Sequence, residues 1–122
     1  MTVSSSRMRE PTYFILAALQ DQPLHGYGIM SRAEELSRGR VKLATGTLYA
    51  ALDRLTGERL VRVVDEQVVN GRARRYYELT ATGLEALRAE AERMAEAAKL
   101  VTEHPNPRRS ARRPGQPGVM PA

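Results

Sequence analysis

The chain contains no cysteine and no tryptophan, one phenylalanine and only two histidines. Without cysteine there is neither a disulfide framework nor a thiolate metal site. Of the histidines, His25 and His104, the second lies in a Pro- and Arg-rich tail. No H-E-x-x-H, no G-x-S-x-G and no phosphate-cradling glycine loop occurs. The acids are scattered among basic neighbours, the pattern of solvated helix faces. These absences argue against an enzyme, and no metal or cofactor is expected. Long apolar runs are missing as well. The longest, Tyr13 to Leu19, falls far short of the roughly 18–20 residues that span a bilayer, and Met1–Arg9 lacks the apolar stretch of a secretory signal. A cytoplasmic protein without a membrane partner is expected.

The formal charge of +5 is unevenly placed. All 14 acids lie before residue 104, against fifteen of the 19 basic residues, so the body is nearly neutral. The surplus is Arg108, Arg109, Arg112 and Arg113 in the tail. The basic pI is therefore no evidence of nucleic-acid binding by itself; what counts is where the body concentrates its charge.

With 122 residues there is enough chain for one core. Residues 1–9 read as a flexible arm. Pro11 suits the first turn of a helix, and Tyr13 to Leu19 has no polar face, so this helix is buried on more than one side and meets both its own domain and a partner through residues such as Phe14. A second helix is expected from Leu24 or His25 to Ser37, with Ile29, Met30, Ala33 and Leu36 as its stripe and Gly39 as its stop. Val41 and Leu43 alternate around Lys42 as a very short strand. Leu48, Leu52 and Leu55 recur at i, i+4 and i+7 in a third helix from about Thr45 to Glu58. Two strands, Leu60–Val69 and Arg74–Leu79, flank Asn70-Gly71, a strong hairpin signal.

The last helix begins near Thr80 or Thr82, where Thr82 and Glu85 match a capping box. Leu84, Leu87, Ala91, Met94, Ala98 and Val101 follow at alternating spacings of three and four, a heptad seam. Pro105 and Pro107 end it, and residues 104–122 read as a disordered basic tail.

The fold class is thus mainly α with a small β-ribbon: a winged helix-turn-helix over residues 10–80, followed by a long C-terminal dimerisation helix over 81–103. In such a unit the third helix presents its N-terminal residues to the major groove. Here these are Thr45, Gly46, Thr47 and Tyr49, with Lys42 just ahead. Thr45 is equally readable as an N-cap, and Tyr49 as a core residue. At the wing, Arg72, Arg74 and Arg75 lie in a window, Gln67 to Tyr77, that holds no acid. They suit phosphate or minor-groove contact; the bland reading is a charged turn that keeps a ribbon soluble. The seam calls for burial against a second copy or against the first helix, and a homodimer would set two reading heads on one face of double-stranded DNA. Small residues around Met94 leave either an apolar effector cleft, lined by Tyr13, Ala91 and Met94, or room for close helix approach.

Three motifs in register carry a resemblance. Pro23-Leu24-His25-Gly26-Tyr27-Gly28-Ile29 resembles the P-L-H-G-Y-x-I signature of PadR-type transcriptional regulators. Gly46-Thr47-Leu48-Tyr49 with Leu52 and Leu55, and Arg74 to Thr80 with Gly83, match the same family over about residues 10–103. The resemblance is to the short branch with a single C-terminal helix. It implies a homodimeric winged helix-turn-helix, usually a repressor of a dyad-symmetric operator, in some members released by a flat aromatic effector. It carries the DNA role onto Thr45, Gly46, Thr47, Tyr49 and the wing arginines. Thr45 stands where proline is common, and Met94 where a large aromatic could clamp a planar ligand.

Overall fold

Leucines spaced to share one helix face need a surface to bury them. In the computed structural model, which describes residues 8–105, Leu48, Leu52 and Leu55 are fully buried. The elements run α1 (Glu10–Ala18), β1 (Leu24–His25), α2 (Gly26–Leu36), α3 (Thr45–Gly57), β2 (Val61–Val69), β3 (Arg72–Leu79) and α4 (Ala81–Thr102). The sheet is antiparallel in the order β1-β3-β2. Ile15 and Leu16 of α1, Ile29 of α2, the α3 leucines, Val61, Tyr77 and Leu87 form one core. The expected fold class stands: four helices, a β-ribbon and a long last helix, in winged helix-turn-helix order.

Two elements differ from the sequence reading. Leu24 and His25 do not open α2; they form β1, paired with Tyr77 and Tyr76. Conversely, Val41–Leu43 is not a strand. Its Val41 side chain is buried and its N–H is taken by the Ser37 hydroxyl at 2.9 Å. The alternation around Lys42 therefore pairs with no strand; the sheet consists of β1, β3 and β2 alone.

Helices α2 and α3 end alike. After α2, Gly39 N–H bonds the Glu34 carbonyl and Arg38 N–H that of Glu35; after α3, Leu60 bonds Leu55 and Arg59 bonds Thr56. These are Schellman turns. The left-handed position before Gly39 is taken by Arg38, and its counterpart after α3 by Arg59, at φ 56° and 64°. The expected Asn70-Gly71 turn forms with φ 54° and 79°, the two positive angles of a type I′ hairpin.

The start of α4 also corrects an expectation. The cap is Thr80, not a Thr82–Glu85 box: its Oγ1 accepts the Gly83 N–H at 2.9 Å while its hydroxyl lies 2.7 Å from the Arg59 carbonyl. Gly83 is there for space. A β-carbon on it would come within 2.0 Å of the Leu60 carbonyl oxygen.

The chain divides into two compact units, one ending at Ala91 and one beginning at Glu92, so the first turns of α4 belong to the core-bearing unit. From Glu92 to Pro105 every residue is exposed. Residues 1–7 of the expected arm and 106–122 of the expected tail lie outside the described residues. No helix among the described residues is long and apolar enough to cross a membrane.

Candidate nucleic-acid interface

A helix that buries one face offers the other. Leu48, Leu52 and Leu55 hold α3 to the core, and Thr45, Gly46, Thr47 and Tyr49 are all exposed at its N-terminal end. Ala44 is the N-cap and makes no side-chain bond to the helix. Thr45 is therefore the first helical residue and not the cap, and its hydroxyl has no capping duty. Lys42 is exposed in the preceding loop. Tyr49 is 42% exposed, but its ring is seated: a β-carbon on Gly26 would lie 2.2 Å from the Tyr49 hydroxyl oxygen. Gly26 thus makes the space in which Tyr49 rests against the start of α2.

Gly46 is a different case. A β-carbon there meets nothing within 4 Å. Glycine weakens a helix relative to alanine, and no close approach inside the described fold requires it. Arg54, further along α3, is occupied internally: it donates to Thr12 Oγ1 at 3.0 Å and pairs with Glu58 at 3.6 Å, tying α3 to α1.

The wing is less uniformly basic than its sequence window. β2 and β3 pair residue for residue from Val69↔Arg72 inward, until Val64 bulges out between Val63↔Tyr77 and Asp65↔Tyr76. The bulge shifts which β2 side chains share a face. On the turn side of the bulge the regular register sets Glu66 opposite Arg75, whose Nε donates to it at 2.8 Å. That hydrogen bond from Arg75 holds its proton more tightly than usual. Near the sheet's other end Arg62 pairs with Glu78. Among the described residues no ion pair engages Arg72 or Arg74. Of the three wing arginines, then, two keep their charge for an outside partner and one shares it with Glu66. The acid lay one residue outside the acid-free window, and only the strand register brought it in.

Sequence reasoning passed over an aromatic group at the sheet's β1 edge. The His25 ring lies 6.5 Å from that of Tyr27, nearly parallel, and 5.4 Å from that of Tyr76, edge-on. Tyr27 is 73% exposed, so this signature residue is not a packing residue. Burial, and then the charge of Arg74, lower the His25 pKa below the ordinary 6.5. The pairing of β1 with β3 creates the group, and a two-residue strand leaves no periodic signal.

The seam residues divide. Leu87 is buried in its own core, Leu84, Ala91 and Phe14 are half-buried, and Met94, Ala98 and Val101 are exposed. Tyr13 is half-buried and meets Phe14 edge-on at 5.3 Å. Two shallow depressions, of about 260 and 290 Å³, lie along Leu19–Pro23 with Glu78–Leu84, and between Ala18 and Glu35; neither is lined by Tyr13, Ala91 or Met94. Among the described residues no group of three or more His, Asp or Glu could hold a metal ion.

Comparison with known proteins adds the following. The model of the transcriptional regulator PadR-like family matches residues 15–89. The transcriptional regulator Rv3488 of Mycobacterium tuberculosis is 38% identical over 87 residues, which are 71% of this chain and 78% of that protein. An uncharacterized 37.1 kDa protein of transposon TN4556 from Streptomyces fradiae is 41% identical over 97 residues; the match covers 80% of this chain but only 26% of that longer protein. In fold, the chain is similar to a PadR family transcription regulator from Clostridium difficile, with a TM-score of 0.65 at 24% identity over 78% of this chain and 97% of the other. It is likewise similar to Bacillus subtilis PadR solved with operator DNA, with a TM-score of 0.62 at 23% identity over 78% and 60%.

Proposed function

Since the chain belongs to the PadR-like family of transcriptional regulators, we propose that it is a sequence-specific DNA-binding repressor, acting as a homodimer on a dyad-symmetric operator. In this reading residues 10–80 bind DNA and 81–103 dimerise. Thr45, Gly46, Thr47 and Tyr49 enter the major groove, while Lys42, Arg72 and Arg74 take phosphates or the minor-groove edge. Arg75 is a weaker contact because Glu66 already holds it. The observation that carries the reading is the α3 edge. Its leucine face is fully buried, its N-terminal face is open, and it includes a glycine for which the described fold has no internal use. A backbone that must come close to a ligand is one place where glycine is wanted.

Met94, Ala98 and Val101 of α4, together with Phe14, would meet a second copy, which a two-fold regulator needs to span successive turns. An apolar or aromatic effector that binds the free dimer better than the DNA-bound one would release the operator; Tyr13, Ala91 and Met94 are the residues assigned to it. The alternative, a winged helix used only for protein contacts, makes no use of unpaired Arg72 and Arg74 beside an open α3 edge.

The test is selection of duplexes from a random pool by the full chain, followed by binding of the selected sequence at several salt concentrations. Enrichment of an inverted repeat is expected. Arg72→Ala with Arg74→Ala should weaken binding to selected and random DNA alike and reduce the salt slope by about 1 per lost phosphate contact. No enriched sequence, together with a stable hetero-partner, would favour the protein-contact reading.

A further inference from the structure

The aromatic group at the β1 edge lies between the two surfaces assigned to DNA. On one side, Gly26 adjoins the Tyr49 hydroxyl of α3. On the other, Tyr76 stands two residues from Arg74 on the same face of β3, and Arg74 is near enough for its charge to act on His25. Tyr49, the buried Gly26, His25 with Tyr27, Tyr76 and Arg74 therefore follow one another from the reading helix to the wing. A duplex that touches both ends passes over the middle.

The chemistry of that middle favours an anion. The groups facing His25 are the Tyr27 ring from α2 and Tyr76 and Arg74 from β3; Tyr49 from α3 meets the neighbouring Gly26. Two acids of the sheet flank the group. Glu78 pairs with Arg62, and Asp65, opposite Tyr76 on β2, accepts the Glu66 N–H and the Gln67 side-chain amide at 2.8 and 3.0 Å. One permanent cation, one protonatable ring and an exposed phenol without an intramolecular hydrogen bond among the described residues thus share a patch in which Arg74 is the charged group that acts on His25.

We propose that His25, Tyr27 and Arg74, braced by Tyr76, hold a DNA backbone phosphate midway between the α3 edge and the wing, with His25 bound in its protonated form. This rests on the DNA-binding reading above and adds a third contact to it. In the free protein His25 is neutral near pH 7, because burial and Arg74 disfavour its charge. A phosphate beside it reverses that balance. Binding then takes up a proton, so affinity rises as pH falls, by up to about tenfold per pH unit at the steepest point. The phosphate carries no sequence, so the contact tightens selected and random duplexes equally.

The full chain, a duplex it selects from a random pool and a random duplex of equal length suffice for the test, read by fluorescence anisotropy between about pH 8 and pH 6. Tyr27→Phe keeps the ring stack and removes only the hydroxyl; it should cost roughly three- to tenfold on both duplexes. His25→Gln should flatten the rise in affinity toward low pH, and Arg74→Gln should reduce the salt slope by about 1. Unfolding midpoints of the variants report whether the fold is kept, and Tyr27→Phe, altered at an exposed site, reads out even if His25→Gln unfolds. Tyr27→Phe binding like the parent, or a parent pH profile kept in a folded His25→Gln, overturns the phosphate contact while leaving DNA binding intact. Failure of the parent to bind any duplex overturns the function reading itself, and this contact with it.

Discussion

Three glycines of this chain answer to three different demands. Gly83 yields to the Leu60 carbonyl and Gly26 to the Tyr49 ring, and a side chain at either would collide. Gly46 yields to nothing in the described fold. The two kinds of glycine separate under substitution. Gly46→Ala should raise stability by about 0.5–1 kcal/mol, since alanine is the better helix former, and should at the same time weaken binding to the selected duplex. Denaturant unfolding and anisotropy on one preparation check both signs, and a variant that binds as well as the parent sinks the close-approach role of this residue. The residue scale also limits what charge counting can say. Arg75 and Arg54 look as available as Arg72 and Arg74 in a list of cations, yet Glu66 holds the first and Thr12 with Glu58 the second.

At the scale of elements, the joint between α3, β2 and α4 is a single hydrogen-bonded unit. Thr80 caps α4 through Gly83, bonds back to the Arg59 carbonyl and accepts structural support from Leu60, whose carbonyl takes the Thr80 N–H at 3.1 Å. Thr80→Ala should therefore cost about 0.5–2 kcal/mol, the range for a lost N-cap, seen as a lower denaturant midpoint with an unchanged slope. Arg59 offers the opposite test. It holds the left-handed position of the Schellman turn at φ 64°, where glycine is the unstrained residue. Arg59→Gly should stabilise by about 0.5–1 kcal/mol, because its Schellman bonds and its link to Thr80 run through the backbone and survive. A destabilised Arg59→Gly would mean that the arginine side chain has a structural role absent from the contacts described.

For the whole molecule, α4 serves two ends. Up to Ala91 it closes the core through Leu87 and Gly83. Beyond Glu92 it exposes Met94, Leu100 and Val101, the latter two at 76% and 77%. An apolar stripe on an otherwise charged helix calls for a partner, which the proposed homodimer supplies. Met94→Glu with Val101→Glu should leave the fold intact and shift the chain to monomer, as read by sedimentation, with a loss of affinity for an inverted repeat and little change on a single half-site. A dimer that survives both charges would place the interface elsewhere.

Much of this was legible in the sequence because it rests on local rules. The leucine period of α3, the Asn70-Gly71 turn and the seam of α4 follow from helix and strand geometry acting within a few residues, and the family motifs mark the same elements in the same order. What the sequence alone could not settle depends on partners far along the chain. Leu24–His25 is a strand because β3 offers it a partner, whereas Val41–Leu43 pairs with no strand and is tied to the end of α2 through Ser37. Thr80 rather than Thr82 caps α4 because Leu60 and Arg59 arrive there. Arg75 loses its freedom to Glu66 because the two-residue Asn70-Gly71 turn sets the two opposite each other across the hairpin. A side chain's chemistry is written at its own position; whether that chemistry is spent inside the fold or left open to a ligand is decided by what the folded chain sets beside it.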